Sequence, residues 1–220
     1  MKISKTTLEV LKNFATVNSN ILVRQGNVLS TISTGKNIFA RAVVDETFDK
    51  EFAIYDLNSL LALLTLMEDT DVEFGDESLK VIKGSSEFEY FYADPNIIVS
   101  APDKTIDVDD FYSFDLSSEN LGMIMKAAAI TGAPMLSIVA SGGKVTLTVG
   151  DPSTPKSNSF KQVIGDATVE FDARLQIENL KVVPGSYKVT ISKKKFMFLQ
   201  NSKSDLKYWL ALERSSEIGE

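Results

Sequence analysis

The sequence contains no cysteine and no histidine among its 220 residues. Without cysteine there are no disulfide bonds, thiol nucleophiles or thiolate metal sites, and without histidine the commonest general base and metal ligand is missing too. No Gly-rich phosphate loop follows a predicted strand, and no pair of carboxylates is seen to converge. These absences predict a protein that is not an enzyme, with no catalytic residues, no metal site and no cofactor.

Long hydrophobic segments are also missing. No run approaches the roughly 18 apolar residues that a membrane-spanning helix needs, and residues 1–5 lack the apolar core of a signal peptide. We therefore expect no membrane association and a cytoplasmic location. With 44% hydrophobic and 24% charged residues, the chain has the composition of a folded globular protein.

Positive charge is scarce. The chain has 23 Lys and Arg against 30 Asp and Glu, a net charge of −7, which argues against a broad basic surface that grips nucleic acid. Residues 1–107 hold 10 basic and 17 acidic side chains, whereas residues 108–220 hold 13 of each. The halves therefore carry −7 and 0, and this asymmetry predicts two units with different surfaces.

The first half begins with an amphipathic helix over 4–17, whose apolar residues recur at helical spacing. Short runs with strand character follow at 21–24, 28–34 and 37–44, separated by Gly-containing turns, and predict an antiparallel meander.

A strand at 52–55 then leads through Asp56, a predicted N-cap, into a helix over 57–67. Its predicted buried residues are Leu57, Leu60, Leu61 and Leu64. Three further strands are predicted between 72 and 99.

The second half repeats this order. A strand at 114–116 leads into a helix that Ser117 or Ser118 caps and that ends at Thr131, followed by strands at 136–140 and 144–149 around a Ser-Gly-Gly turn. A strand at 168–175, a short helical run at 176–183 and a final meander over 187–212 complete the repeat. The chain therefore predicts an α+β protein with two similar domains, 1–107 and 108–220, joined by a linker over about 100–113.

Three lysines lie on equivalent helices of the two halves. Lys5 and Lys12 are seven residues apart, hence one above the other on the polar face of the first helix, and Lys126 lies on the polar face of the corresponding helix. An amphipathic helix normally carries lysine on its exposed side, so plain solvation is the alternative explanation. In an acidic chain the placement favours a local basic lining, to which Lys181 on the run 176–183 would add. Glu9 dilutes that lining, and DNA contact is expected to be weak.

Several segments resemble the DNA sliding clamps, or DNA polymerase processivity factors, of T4-like bacteriophages. The similarity is dispersed over the whole chain and is strongest at 11–19, 53–58, 93–95 with Ala101-Pro102 following, 184–188 and 211–213. The resemblance implies two clamp-type domains per chain, each with helices packed on antiparallel sheet. It implies three such chains joined head to tail in a closed ring whose helices face a central hole.

In such a homotrimer the resemblance places Lys5, Lys12, Lys126 and Lys181 toward the phosphates of double-stranded DNA, bound by enclosure and without sequence preference. It implies the replicative DNA polymerase and a clamp loader as partners, acting in the cytoplasm of the host cell, and allows a further role in viral transcription. Tails of these partners would dock beside the linker, for which Phe111 and Tyr112 are the candidates. Related clamps tend to carry another basic residue one turn after Lys126, where this chain has Ala129.

Two other functions are alternatives to a sliding clamp. A viral structural or assembly protein would also suit repeated β-rich domains with an acidic surface. A hydrolase that uses paired carboxylates would need a concave acidic site, which nothing in the sequence favours.

Overall fold

The computed structural model describes residues 1–67, 70–154 and 156–219. By its internal contacts the chain divides into two compact units, Met1–Lys104 and Thr105–Glu220, whereas the sequence-based boundary was placed between 107 and 108. We call them unit 1 and unit 2.

Among its described residues, unit 1 contains two α-helices and seven strands. In chain order these are α1 (Lys5–Val17), β1 (Ile21–Val23), β2 (Gly26–Ile32), β3 (Ile38–Phe48), β4 (Phe52–Ile54), α2 (Leu57–Leu66), β5 (Val72–Phe74), β6 (Ser78–Lys83) and β7 (Ser86–Phe91). The strand pairs β2–β3 and β1–β4 and the three-stranded sheet β5-β6-β7 are all antiparallel. Helix α1 packs against α2 and against β3.

Unit 2 contains one α-helix and nine strands among its described residues. In chain order these are β8 (Tyr112–Leu116), α3 (Ser118–Thr131), β9 (Met135–Ser141), β10 (Lys144–Gly150), β11 (Phe160–Asp166), β12 (Phe171–Gln176), β13 (Tyr187–Ser192), β14 (Phe196–Asn201), β15 (Leu206–Ala211) and β16 (Glu217–Ile218). One antiparallel sheet runs in the order β11-β10-β9-β12-β16, and a second contains β15-β14-β13-β8. Helix α3 packs on β10. The α+β class with antiparallel sheets is therefore confirmed.

The pairing of the first strands differs from the predicted meander. Strands β2 and β3 form the expected hairpin, but β1 pairs with β4. Gly26, at φ +111°, redirects the chain between β1 and β2, a conformation that glycine adopts without steric cost. All residues of β1 and of β4 are buried, so burial favours pairing between these two short strands inside the unit.

The helical run predicted at 176–183 is wrong. Only a three-residue 3-10 helix forms there, Ile177–Asn179, because Pro184 disfavours helical backbone at the residue before it. The backbone groups of Val183 pair with tyrosines instead, its N–H with the Tyr208 hydroxyl at 3.1 Å and its carbonyl with the Tyr187 hydroxyl at 2.5 Å. The repeat between the halves is therefore incomplete at this position.

Two smaller expectations also need correction. Helix α2 buries Leu63 in addition to Leu57, Leu60 and Leu61, while Leu64 is only half-buried, so its packed face is broader on one side than predicted. Strands β11 and β16, which sequence patterns did not reveal, complete the edges of the five-stranded sheet.

Candidate nucleic-acid interface

Helix α1 places Lys5 and Lys12 on its exposed face. Ser4 caps the helix by accepting a hydrogen bond from the Thr7 N–H at 3.2 Å, which satisfies one of the otherwise unpaired donors of the first turn. The residues buried against the unit are Thr7, Val10, Leu11, Phe14 and Val17. Both lysines are exposed, as is Glu9 between them, and no described residue forms an ion pair with either lysine.

A buried carboxylate from β3 holds the start of this helix. Glu46, only 6% exposed, accepts hydrogen bonds from the Ser4 N–H and the Thr7 hydroxyl. Burial by itself would raise the pKa of Glu46, but the hydrogen bonds from Thr7 and Ser4 outweigh it and lower the pKa below the usual value of 4.5. Helix α1 has no acidic residue in its own first turn, so Glu46 supplies the negative charge that the positive end of the helix and Lys5 favour.

The exposed side of α2 carries no charge. Lys12 borders a groove with α2, whose lining residues there are Asn58, Leu61, Ala62, Thr65 and Leu66. Leu66 is 76% exposed. On this side of unit 1 the described lysines near α2 are Lys5 and Lys12 of α1, together with Lys2 just before that helix.

Helix α3 carries the third predicted lysine. Its cap is Ser117, which accepts from the Asn120 N–H at 3.1 Å, and its buried residues are Leu121, Ile124 and Ala128. Lys126 is exposed beside Met125, and Ile130 is 85% exposed. With Ala129 also exposed, the outward face of α3 is more apolar than charged.

Lys181 is exposed but does not lie on a helix. It follows the 3-10 helix Ile177–Asn179 in irregular chain, because the helical run that would have carried it does not form. The sequence placed Lys181 among the DNA-facing residues as part of a helix, and that helical placement is wrong.

Phe111 and Tyr112 pack within unit 2. The Phe111 ring meets the Phe171 ring edge-on at 6.0 Å between centroids and lies under the Lys193 ammonium at 5.4 Å. Tyr112 lies 5.1 Å from the same Phe171 ring, and its hydroxyl donates to the Asp166 carbonyl at 3.2 Å. Both side chains are half-buried.

A contact that sequence reasoning missed fastens the end of the linker beside Phe111. The Asp109 carboxylate accepts from the Ser192 hydroxyl at 2.5 Å and from the Lys193 N–H at 2.9 Å, and the Lys194 ammonium donates to the Asp107 carbonyl at 3.0 Å. Burial acts to raise the pKa of Asp109, but these hydrogen bonds and the Lys194 charge lower it overall. The turn between β13 and β14 therefore holds the end of the linker.

No group of three potential metal-ligating side chains occurs among the described residues. No α-helix within the described ranges is long and apolar enough to cross a membrane.

Solved structures of ring-forming clamps share this fold. The proliferating cellular nuclear antigen (PCNA) of Thermococcus kodakaraensis matches with a TM-score of 0.71 at 11% identity, over 97% of this chain and 98% of that one. The A. fulgidus PCNA, solved with the C-terminal region of FEN-1 bound, matches with a TM-score of 0.70 at 14% identity, over 96% of both chains. The fold is therefore that of the sliding clamps.

Sequence comparison identifies the family. A family model described as DNA polymerase processivity factor matches residues 2–100. The sliding clamp of Vibrio phage KVP40 is 31% identical over 199 residues, covering 87% of this chain and 90% of the relative, and that of Enterobacteria phage T4 is 29% identical over 201 residues, covering 87% of each. The chain belongs to the sliding clamps of T4-like phages, which are DNA polymerase processivity factors. The resemblance found in the sequence is confirmed, and the relatives favour it over a virion component.

Proposed function

We propose that three copies of this chain close head to tail into a ring that encircles duplex DNA and tethers the replicative polymerase to it. Tethering makes each rebinding of the polymerase an intramolecular event at high effective concentration. The observation that carries the proposal is the placement of unpaired lysines on the exposed faces of α1 and α3, the equivalent helices of the two units.

Lys5, Lys12 and Lys126 are the DNA-facing residues in this proposal, and Lys181 joins them as an exposed cation outside a helix. Each phosphate that a lysine neutralises contributes about 0.9 to the slope of log affinity against log salt. Each chain offers few lysines to DNA, and the negative charge of Glu9 opposes them. The electrostatic contact with DNA is therefore weak. Enclosure, not electrostatic grip, would hold the duplex, while the acidic remainder of the chain repels nonspecific binding.

Two edge strands supply a joint between copies. Strand β7 is one edge of the sheet β5-β6-β7 in unit 1, and β11 is one edge of the five-stranded sheet in unit 2. Unpaired backbone groups on such edges are ready to pair with another chain. Because the surfaces are different, pairing β7 of one copy with β11 of the next is a heterologous contact, which closes into a ring when the rotation allows.

The side chains on these edges support the joint. Phe88 of β7 lies opposite Val81, which is 1% exposed, so it faces the core side of the sheet, yet it is 44% exposed. On β11, Val163 is 61% exposed. A second copy would cover these apolar side chains.

A closed ring has consequences for loading onto DNA, for catalysis and for where the protein acts. A closed ring needs a separate loader to open it around DNA, and it needs no catalytic residues, so we assign no enzymatic activity. A phage clamp acts where phage DNA is copied, in the host cytoplasm, and a role in viral transcription is compatible with the same enclosure. Docking of partner tails at the linker beside Phe111 and Tyr112, and the two-domain division at 107/108, remain predictions.

The proposal is tested first by the mass in solution. Light scattering over a range of concentrations should give three times 24.2 kDa, roughly 73 kDa, falling only on dilution. Val163→Asp should shift the mass toward the monomer, whereas Leu66→Asp, at an equally exposed position on α2, should not. A monomer at every concentration would refute the ring.

The DNA contact is tested on the loaded clamp. Retention should be long on circular duplex and short on the linearised form, and the triple variant Lys5→Gln, Lys12→Gln, Lys126→Gln should lower polymerase stimulation while leaving the fold intact. Lys188→Gln, on the exposed side of β13, is the matched control. A polymerase response that the triple variant does not change would contradict the role of these lysines.

A further inference from the structure

A cavity of about 200 Å³ lies in unit 2, between the exposed face of the five-stranded sheet and the loop after β10. Its lining comes from β9, β10 and β11 on one side and from described residues of the loop 151–159 on the other. The proposed DNA contact uses none of its side chains, and the proposed joint uses the backbone edge of β11, whereas Lys161 of that strand reaches the cavity from the face of the sheet.

The sheet side of the cavity is a row of three polar side chains. Ser137 on β9 is the cross-strand partner of Thr148 on β10, and Thr148 is the partner of Lys161 on β11. Residues directly opposite one another share a face, and adjacent strands lie about 4.8 Å apart. The neighbouring residues Leu136 and Leu147 are buried on the other face, so the three polar groups point outward and lie within about 10 Å.

The loop side is folded back by its own hydrogen bonds. The Asp151 carboxylate accepts from the Ser153 N–H at 2.9 Å and from the Ser153 and Thr154 hydroxyls, each at 2.6 Å. The close approach of Ser159 depends on Gly150, because a Cβ at that position would lie 3.3 Å from the Ser159 Cβ. This folding brings Lys156 and Ser159 to the cavity.

Donors without partners converge on the cavity. Within the described part of the chain, the Lys156 and Lys161 ammonium groups form no ion pair, and the Ser137, Thr148 and Ser159 hydroxyls form no hydrogen bond. By contrast, the carboxylate in the lining, Asp151, already accepts three hydrogen bonds from its own loop.

Two cations against one carboxylate leave a net charge of +1 in a site lined by hydroxyls. Ammonium and hydroxyl donors are the groups that stabilise the oxygens of a phosphate. A cationic ligand would face two lysines, and an apolar ligand would leave the polar groups unpaired.

We propose that this cavity binds the phosphoryl group of a small phosphate compound, with Lys156 and Lys161 as the charged partners and Ser137, Thr148 and Ser159 as hydroxyl donors. The volume admits a phosphoryl group and part of an attached sugar. Among the described residues, the cations that flank this row are already paired, Arg174 opposite Ser137 with Asp172 and Lys144 beyond Thr146 with Asp166, so no row of free cations leads away along the sheet. The occupant is therefore a free phosphate or a nucleoside monophosphate and not a nucleic-acid strand.

Calorimetric titration of the full chain with inorganic phosphate and with dAMP, against chloride at constant ionic strength, tests the site. We expect saturable binding in the millimolar range or tighter, weakened at least tenfold in the double variant Lys156→Gln, Lys161→Gln. Stronger binding of dAMP than of phosphate would identify a nucleotide as the occupant, and equal binding would identify the phosphoryl group alone.

Lys144→Gln provides the matched control, since Lys144 lies on β10 of the same sheet but is paired with Asp166 at 2.5 Å. Its binding should equal that of the unaltered protein. Heats equal to those of the chloride titration would overturn the proposal. Unchanged binding by the double variant, with circular dichroism showing that the variant is folded, would overturn it as well.

Discussion

Replacement of Glu46 tests whether one buried carboxylate holds the start of the helix that carries Lys5 and Lys12. The carboxylate accepts two hydrogen bonds, from the Ser4 N–H and the Thr7 hydroxyl. Hydrogen bonds to a charged group contribute about 1.5–3 kcal/mol each, and part of this is offset because the alanine variant no longer buries a charge. We expect Glu46→Ala to lower the free energy of unfolding by about 2–4 kcal/mol.

Two further variants separate the effect of losing the Glu46 carboxylate from the effect of changing any residue of β3. Glu46→Gln keeps one oxygen acceptor and should cost about half as much as the alanine variant. Asp45→Asn changes the neighbouring residue of β3, which is exposed, and should stay within about 0.5 kcal/mol. Urea denaturation followed by far-ultraviolet circular dichroism, at one fixed protein concentration, measures all three.

The pH dependence of the difference in stability between the unaltered protein and Glu46→Gln tests the contribution of the Glu46 charge. Because the folded pKa of Glu46 is lowered from 4.5, its ionised form contributes stability that is fully present above the unfolded pKa and is lost as the pH falls through the folded pKa. The difference between the unaltered protein and Glu46→Gln should be constant from neutral pH to about 5.5 and should shrink below about 4.5.

The reasoning would be refuted by an alanine variant no less stable than Asp45→Asn. A difference that persisted unchanged at pH 3 would show that shape, and not charge, is what Glu46 contributes.

Three other changes should have measurable effects. Tyr208→Phe removes the acceptor of the half-buried Val183 N–H and should cost about 1–3 kcal/mol in urea denaturation followed by tryptophan fluorescence; a loss below 0.5 kcal/mol would contradict the pairing. Ser117→Ala removes the cap of α3 and should cost about 1 kcal/mol in the same assay, largely recovered by aspartate at that position. Asp109→Asn weakens the contact with Ser192 and should speed tryptic cleavage in the linker several-fold without changing the circular dichroism; an unchanged cleavage rate would show that this contact does not hold the linker.

The helices α1 and α3 could be predicted because their signals are local. Each helix shows an apolar arc at helical spacing, and Ser117 caps α3 as predicted, whereas Ser4, predicted as the first helical residue, is the cap of α1. The exposure of Lys5, Lys12 and Lys126 follows from the same spacing. Their contact with DNA depends on an assembly that one chain's periodicity does not describe, so it stays a prediction.

The pairing of β1 with β4 could not be read from the sequence, because both strands have three buried residues and no alternation. Strand β11 was missed because its alternation is interrupted at Ile164, the residue left without a partner where the register with β10 shifts. The role of Glu46 did leave a signal. It stands two residues from Val44 and two from Phe48, both buried, so the period of a strand places it on the inner face.

Both ends of the linker are anchored by side chains, each within its own unit. The Ala101 carbonyl accepts from the Arg24 guanidinium at 2.9 Å, and the Asp107 carbonyl accepts from Lys194 at 3.0 Å. Between them only residues 102–106 are left, all exposed, and Pro102 has a fixed φ. The linker thus keeps about nine soft dihedrals between its anchored ends, so substitutions that stiffen it lower, and insertions that lengthen it raise, the backbone entropy lost when the linker is ordered.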